Sequence, residues 1–146
     1  MDKPALPTRA QYPHFQTITT RWKDNDIYGH VNNVEYYSYF DTVINAWLIN
    51  EGGLDIHAGE TIGLCAESHC LFLAAVEFPT TIEAGLRIAT LGNSSVRYEI
   101  GLFEKGGDAI AEGWFVHVFV DRAGRKPVPM PDGIRNSLKR LWGSGE

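Results

Sequence analysis

The sequence predicts an α+β fold in which a five-stranded antiparallel sheet wraps around one long central helix. Three observations carry that expectation. A single apolar stripe of helical period, formed by Tyr37, Phe40, Ile44, Trp47 and Leu48, runs on from Val34 and stops at Glu51-Gly52-Gly53. From Thr61 onward the pattern becomes that of strands. The turns Gly92-Asn93 and Lys105-Gly106-Gly107-Asp108 then join consecutive strands as hairpins.

In order along the chain, Met1 to Pro13 carries three prolines and no apolar stretch of signal-peptide length, so it reads as an extended N-terminal arm with no sign of secretion. Residues 14–141 then form one domain, the size of core that 146 residues can bury. His14 to Trp22, with Thr17, Ile18, Thr19 and Thr20, reads as the first strand. An Asp/Asn/Gly loop follows, and Asn32 or Asn33 can cap the helix, with Glu35 placed three after Asn32 as in a capping box. Further strands are expected over Thr61–Val76, Leu86–Leu91, Ser95–Glu104 and Ala109–Asp121, and a short terminal helix over about Gly133–Leu141. Trp114 to Val120 is apolar on both faces except for His117, which predicts a helix over one face and another apolar layer over the other. A sheet with one covering helix needs company, and a second copy is the simple solution.

Hydrophobic residues at 44% and charged residues at 21% are ordinary globular values, and the net charge of -5 argues against nucleic acid as a partner. The longest apolar run, Cys70 to Val76, is far short of the ~20 residues that span a bilayer, so a soluble chain and no membrane partner are expected. Cys65 and Cys70 sit five apart on one expected strand, on opposite faces by its period of two, which suits free thiols and a reducing cytoplasm. Together with His69 they lack paired zinc spacing, so neither metal nor cofactor is expected.

Candidate chemistry concentrates in residues 24–37, where a loop hands over to a helix N-terminus. Asp24, Asp26, His30, Asn32 and Asn33 lie together there, and unpaired backbone N–H groups at the helix start favour negative charge. An isolated loop aspartate makes turns and caps; two beside an imidazole and two amides have the parts of a hydrolytic site. His30 can orient a carboxylate or substrate, or pack against backbone. His69 and His117 read as structural strand residues, and Tyr36, Tyr37, Tyr39 and Trp47 as core. Arg122, Arg125 and Lys126 cluster after the last strand, either as solvated surface or as a holder of phosphates on a large anion. No Gly-x-Ser-x-Gly elbow and no Gly-rich phosphate loop is present.

The stretch Asp24-x-Asp26-x-x-Gly29-His30-Val31-Asn32-Asn33-x-x-Tyr36, followed by the helical stripe, resembles the opening of the hotdog-fold acyl-CoA thioesterases related to 4-hydroxybenzoyl-CoA thioesterase. The likeness extends through Glu67–Gly85, Leu91–Glu99 and Val116–Arg122, nearly the whole of residues 14–141, with Ala75 where many relatives carry proline.

The resemblance implies a hotdog fold, assembly as a homodimer or homotetramer with sites at the dimer interface, and hydrolysis of an acyl-CoA substrate to free acid and CoA. It assigns Asp26 as nucleophile or general base and backbone amides around Asn33, Val34 and Glu35 as the oxyanion site. Asp24, Tyr28 and His30 surround them, Tyr28 replacing the asparagine that acyl-ACP relatives carry two after the aspartate. Arg122, Arg125 and Lys126 are the expected holders of the carrier. An acyl-ACP thioesterase and a hotdog protein that binds an acyl thioester without turnover are the alternatives; no dehydratase-type histidine motif is found.

Overall fold

A computed structural model of the protein describes residues 6–142. The first strand, β1, is His14–Thr19; helix α1 is Asn33–Asn50; the remaining strands are β2 (Thr61–Phe72), β3 (Thr81–Leu91), β4 (Ser95–Glu104) and β5 (Ala109–Asp121); helix α2 is Asp132–Lys139. All five strands join in one antiparallel sheet of order β1-β3-β4-β5-β2. The β4 and β5 bounds are those the sequence predicts.

Other boundaries shift for identifiable reasons. β1 stops at Thr19 because Trp22–Asp24 turns into a short 3-10 segment. β2 ends at Phe72 rather than Val76 because the Leu73 and Ala74 N–H groups both converge on the Ile110 carbonyl, at 2.9 and 3.2 Å, and leave the ladder. β3 begins at Thr81, five residues before the expected start, because its first half pairs with β1 on one side and β4 on the other. Glu83, Ala84 and Gly85 have poor strand propensity, and pairing on both edges overrides it.

The α1 residues Tyr36, Tyr39, Phe40, Val43, Ile44 and Leu48 are buried at three- and four-residue steps. Tyr37 and Trp47, expected on that stripe, are only half-buried beside it. The buried stripe meets the inner side of the sheet, where Ile82, Leu86, Tyr98, Ile100, Phe115 and Phe119 complete the core. Ile134 and Leu138 of α2 join the same core.

Part of the N-terminal arm, residues 1–5, lies outside the described residues. From Pro7 on, the arm is packed: Arg9–Gln11 forms a 3-10 turn, and the Arg9 guanidinium meets Glu83 at 2.6 Å. Tyr12 is buried against the outer side of the sheet over Gly85 and Gly101. A Cβ at Gly101 would stand 2.7 Å from two Tyr12 ring carbons and from its hydroxyl oxygen, so glycine is what lets the ring lie against the backbone.

The two cysteines also depart from expectation. A bulge between Cys65 and Glu67 inserts one extra residue, so Cys65 pairs with His117 and Cys70 with Gly113. Both therefore lie on the same face. Four register steps, roughly 13 Å, separate them, and both are free.

His117 is buried, with its Nδ1 3.1 Å from the Tyr98 hydroxyl. Burial pushes its pKa down to about 4, so the folded protein holds it neutral. The unfolded chain takes up a proton here as pH falls below the ordinary value of 6.5, whereas the folded chain does not until pH approaches 4. Stability should accordingly fall through that window, with up to about 1.4 kcal/mol per pH unit from this residue. Urea denaturation at half-unit pH steps should show a shallower slope for His117→Gln; an unchanged slope would mean that other groups set the acid sensitivity.

Candidate functional site

Asp24 and Asp26 sit two apart and have opposite environments. The Asp24 side chain is completely buried. Its carboxylate accepts hydrogen bonds from the Arg21 N–H at 2.9 Å and the Tyr39 hydroxyl at 2.8 Å, and the Arg21 guanidinium lies 3.1 Å away. Burial alone would raise its pKa, but the Arg21 amide, the Tyr39 hydroxyl and the Arg21 guanidinium together hold it below the usual value. The same arrangement raises the Tyr39 pKa, through burial first and then the bond to Asp24. Asp24 is thus an ionised, fully partnered anchor at the foot of α1.

Asp26 is only half-buried, and its carboxylate is held by lighter bonds, from the Tyr28 N–H at 2.9 Å and the Asn32 side-chain amide at 3.3 Å. The loop that presents it closes on itself. Asp26 N–H donates to the His30 carbonyl at 3.0 Å, Gly29 N–H returns to the Asp26 carbonyl at 3.1 Å, and Asn25 bridges Val31. Gly29 takes φ +88°, a left-handed conformation that glycine adopts without penalty. The loop is pinned from outside by Val31 N–H to the Val76 carbonyl at 2.8 Å and Phe78 N–H to the Asn25 side chain at 3.0 Å.

Asn32 is the N-cap of α1. Its side-chain oxygen accepts the Val34 N–H and its carbonyl accepts the Glu35 N–H, both at 2.9 Å. Two of the amides expected around the oxyanion position are therefore already bonded, because the cap satisfies them. The Asn33 N–H is the one left without a hydrogen-bond acceptor among the described residues. The expected capping box is replaced as well: the Glu35 carboxylate turns to the Arg21 guanidinium at 3.6 Å.

Asp26, His30 and Asn33 line one cleft of about 360 Å³, whose apolar wall is Val31, Tyr36 and the segment Phe72–Ala75. That wall was hidden in the sequence inside an apolar run read as strand. Only the departure of residues 73 and 74 from the ladder turns it toward the loop. The cleft opens beside exposed apolar side chains: Ile27 is 93% exposed, Tyr28 78%, Val34 67% and Phe72 43%.

The structure does not bring Arg122, Arg125 and Lys126 to this cleft within one chain. They follow the β5 end that pairs with Thr61, whereas the cleft borders Phe72 at the far end of β2, roughly 35 Å along the strand. Arg122 donates to the Gly59 carbonyl at 2.6 Å and the Ile56 carbonyl at 2.9 Å, so it braces that loop and does not stand free for an anion. Arg125 and Lys126 are exposed. Among the described residues no group of three or more His, Cys, Asp or Glu side chains is placed to hold a metal ion, and no helix is long and apolar enough to cross a membrane.

Three solved structures are similar over most of the chain. The PA5185 protein of Pseudomonas aeruginosa strain PAO1 is 57% identical, covering 96% of this chain and 99% of that one, with a TM-score of 0.94. The PA2801 protein of Pseudomonas aeruginosa is 32% identical over 87% of this chain and 98% of that one, with a TM-score of 0.81. A thioesterase of Thermus thermophilus, solved with coenzyme A and zinc, is 26% identical over 90% and 95% of the two chains, with a TM-score of 0.75. The family model described as the thioesterase-like superfamily matches residues 20–138, which takes in Asp24, Asp26 and the whole sheet beyond β1. The chain belongs to the thioesterase-like superfamily, the hotdog-fold thioesterases that its Asp-x-Asp-x-x-Gly-His-Val-Asn-Asn stretch resembles.

Proposed function

We propose that this protein is an acyl-CoA thioesterase of the hotdog fold, with α1 as the central helix and Asp26 as the catalytic carboxylate. The observation that carries the reading is the cleft itself. It places a half-buried carboxylate, an unbonded helix N-terminal amide at Asn33 and an apolar wall around one volume. An acyl group on the wall would direct its thioester carbonyl at Asn33, whose N–H and helix dipole favour the oxyanion. Asp26 would then either attack the carbonyl carbon, expelling the CoA thiolate and leaving an anhydride for water to open, or take a proton from water as that water attacks. Both routes consume one water and give one carboxylic acid and one thiol. His30, exposed at the cleft, would position the substrate, with Tyr28 and Val34 beside it.

The exposed apolar rim belongs to an interface with a second copy. β2 is an edge strand of twelve residues whose outer ladder is unpaired, and its Cys65–His69 stretch is exposed. Antiparallel pairing of two β2 edges would set the Thr61 end of one copy against the Phe72 end of the other. That would carry the second copy's Arg125 and Lys126 toward the cleft, where they could meet CoA phosphates, with Arg122 bracing the loop behind them. A thioesterase that was solved with coenzyme A is among the similar structures, which supports CoA as the carrier.

The test is thiol release from acyl-CoAs of graded chain length, with an aryl-CoA included. Asp26→Asn should lower turnover by about 10²–10⁴-fold while leaving the melting temperature near that of the parent protein. A folded Asp26→Asn protein with full activity would remove Asp26 from the mechanism. Asp24→Asn should do the reverse of its neighbour, costing about 1–3 kcal/mol of stability because Arg21 and Tyr39 lose a buried charged acceptor. An Asp24→Asn protein as stable as the parent would show that the anchor is dispensable. Arg125→Glu combined with Lys126→Glu should raise KM for acyl-CoA more than it lowers kcat; a KM unchanged by both would place the phosphates elsewhere.

A further inference from the structure

The buried tyrosines spend their hydroxyls differently. Tyr39 donates to the Asp24 carboxylate at 2.8 Å, and the Tyr98 hydroxyl stands 3.1 Å from the His117 Nδ1. Tyr12 lies on the outer side of the sheet, away from the cleft. Tyr36 is only 3% exposed, yet its hydroxyl has no hydrogen-bond partner among the described residues. It is not sealed in either. Trp47 Nε1 is the one fully enclosed, unpartnered polar side-chain atom among the described residues, so the Tyr36 hydroxyl keeps some accessible surface. Tyr36 lines the candidate cleft, and that is where the surface opens.

Position along α1 says what this hydroxyl can meet. Tyr36 follows Asn33 by three residues, about 4.5 Å of helical rise, on the same side of the helix. A helical side chain leans back toward the N-terminus, so the phenol returns toward the Asn33 amide. Phe72 holds the ring edge-on at 5.0 Å. The wall around it, Val31 and Phe72 to Ala75, carries only hydrocarbon side chains. Burial raises the Tyr36 pKa above its ordinary value of 10, with nearby Cys70 adding to the effect. The phenol is therefore neutral, and its O–H is free to donate.

We propose that Tyr36 selects the acyl group: its hydroxyl bonds an oxygen on the third acyl carbon, so the substrates are 3-hydroxyacyl or 3-oxoacyl thioesters in preference to plain alkanoyl ones. The inference rests on the thioesterase reading of the cleft, which puts the thioester oxygen at the Asn33 amide. An oxygen on the third carbon lies three bonds from the carbonyl carbon, and at about 1.5 Å a bond it reaches back along the turn to Tyr36. A plain alkanoyl chain in the same place would leave the phenol facing hydrocarbon. A buried polar group stranded in that way is what makes a site reject the analogue that lacks the matching oxygen.

The experiment compares butanoyl-CoA with 3-hydroxybutanoyl-CoA and 3-oxobutanoyl-CoA on the full chain. Thiol release from the parent protein and calorimetric binding to the Asp26→Asn protein are read separately. The parent should favour an oxygenated ester by about tenfold or more in kcat/KM, and Asp26→Asn should bind that ester correspondingly tighter. Tyr36→Phe keeps the ring against Phe72 and should shrink the preference to about threefold or less. 4-Hydroxybutanoyl-CoA gives a check that needs no variant, since moving the oxygen one carbon outward should weaken the preference. Equal or absent binding of the esters, a preference that survives Tyr36→Phe, or one indifferent to the oxygen's position would each overturn the proposal. A protein that turns over no ester but still binds the oxygenated one tighter, in a Tyr36-dependent way, would sink the thioesterase reading and leave the selectivity standing.

Discussion

The buried Asp24, through its carboxylate and its backbone carbonyl, ties three parts of the chain together. It accepts from the Arg21 amide at the end of the first strand's extension and from the Tyr39 hydroxyl on α1, and the Asp24 backbone carbonyl accepts from the Asn32 N–H at 2.9 Å. An ionised carboxylate without solvent is costly unless its oxygens are satisfied, so the loop and helix can meet in few other ways. Every position in the candidate cleft inherits that constraint. Asp26 lies two residues from the anchor, and Asn32 is bonded to both aspartates, through its backbone to Asp24 and through its side chain to Asp26.

Asn32 also couples the cleft to the helix start. Its side-chain oxygen caps α1 through Val34 while its side-chain nitrogen reaches Asp26, so one amide fixes both the origin of the helix dipole and the carboxylate in front of it. The cap consumes the Val34 and Glu35 amides and leaves that of Asn33 open to the cleft. A helix N-terminus offers several orphan donors in principle; here the capping chemistry selects one.

The sheet divides its labour between two faces and an edge. Inward, alternating residues of β3, β4 and β5 bury against α1, and the His117–Tyr98 pair is carried inside that layer as a neutral hydrogen-bonded unit. Outward, Tyr12 covers the β3–β4 half where two glycines admit it. The bulge in β2 moves Cys65 onto the face of Cys70, and with it resets which side chains of the edge strand look outward.

Much of this was legible in the chain itself. The helix is written in the spacing of Phe40, Ile44 and Leu48, and the β4 and β5 bounds in the glycine-bearing turns that flank them, because period and turn chemistry are local properties. The concentration of Asp24, Asp26, His30, Asn32 and Asn33 pointed to the candidate cleft, and the resemblance it carries marked the family. Local pattern could not tell the two aspartates apart, since burial and partners separate them: Tyr39 is fifteen residues from Asp24 and meets it only when α1 docks. Nor could it place Phe72–Ala75 in the cleft wall, move Cys65 to the face of Cys70, or separate Arg122 from the cleft by the length of β2. Those are decided by long-range pairing and by one extra residue in a ladder. Sequence determined which elements form and which residue types gather at the loop; tertiary structure decided which of those groups are buried, bonded or left open, because solvation and hydrogen-bond satisfaction exist only once distant segments have met.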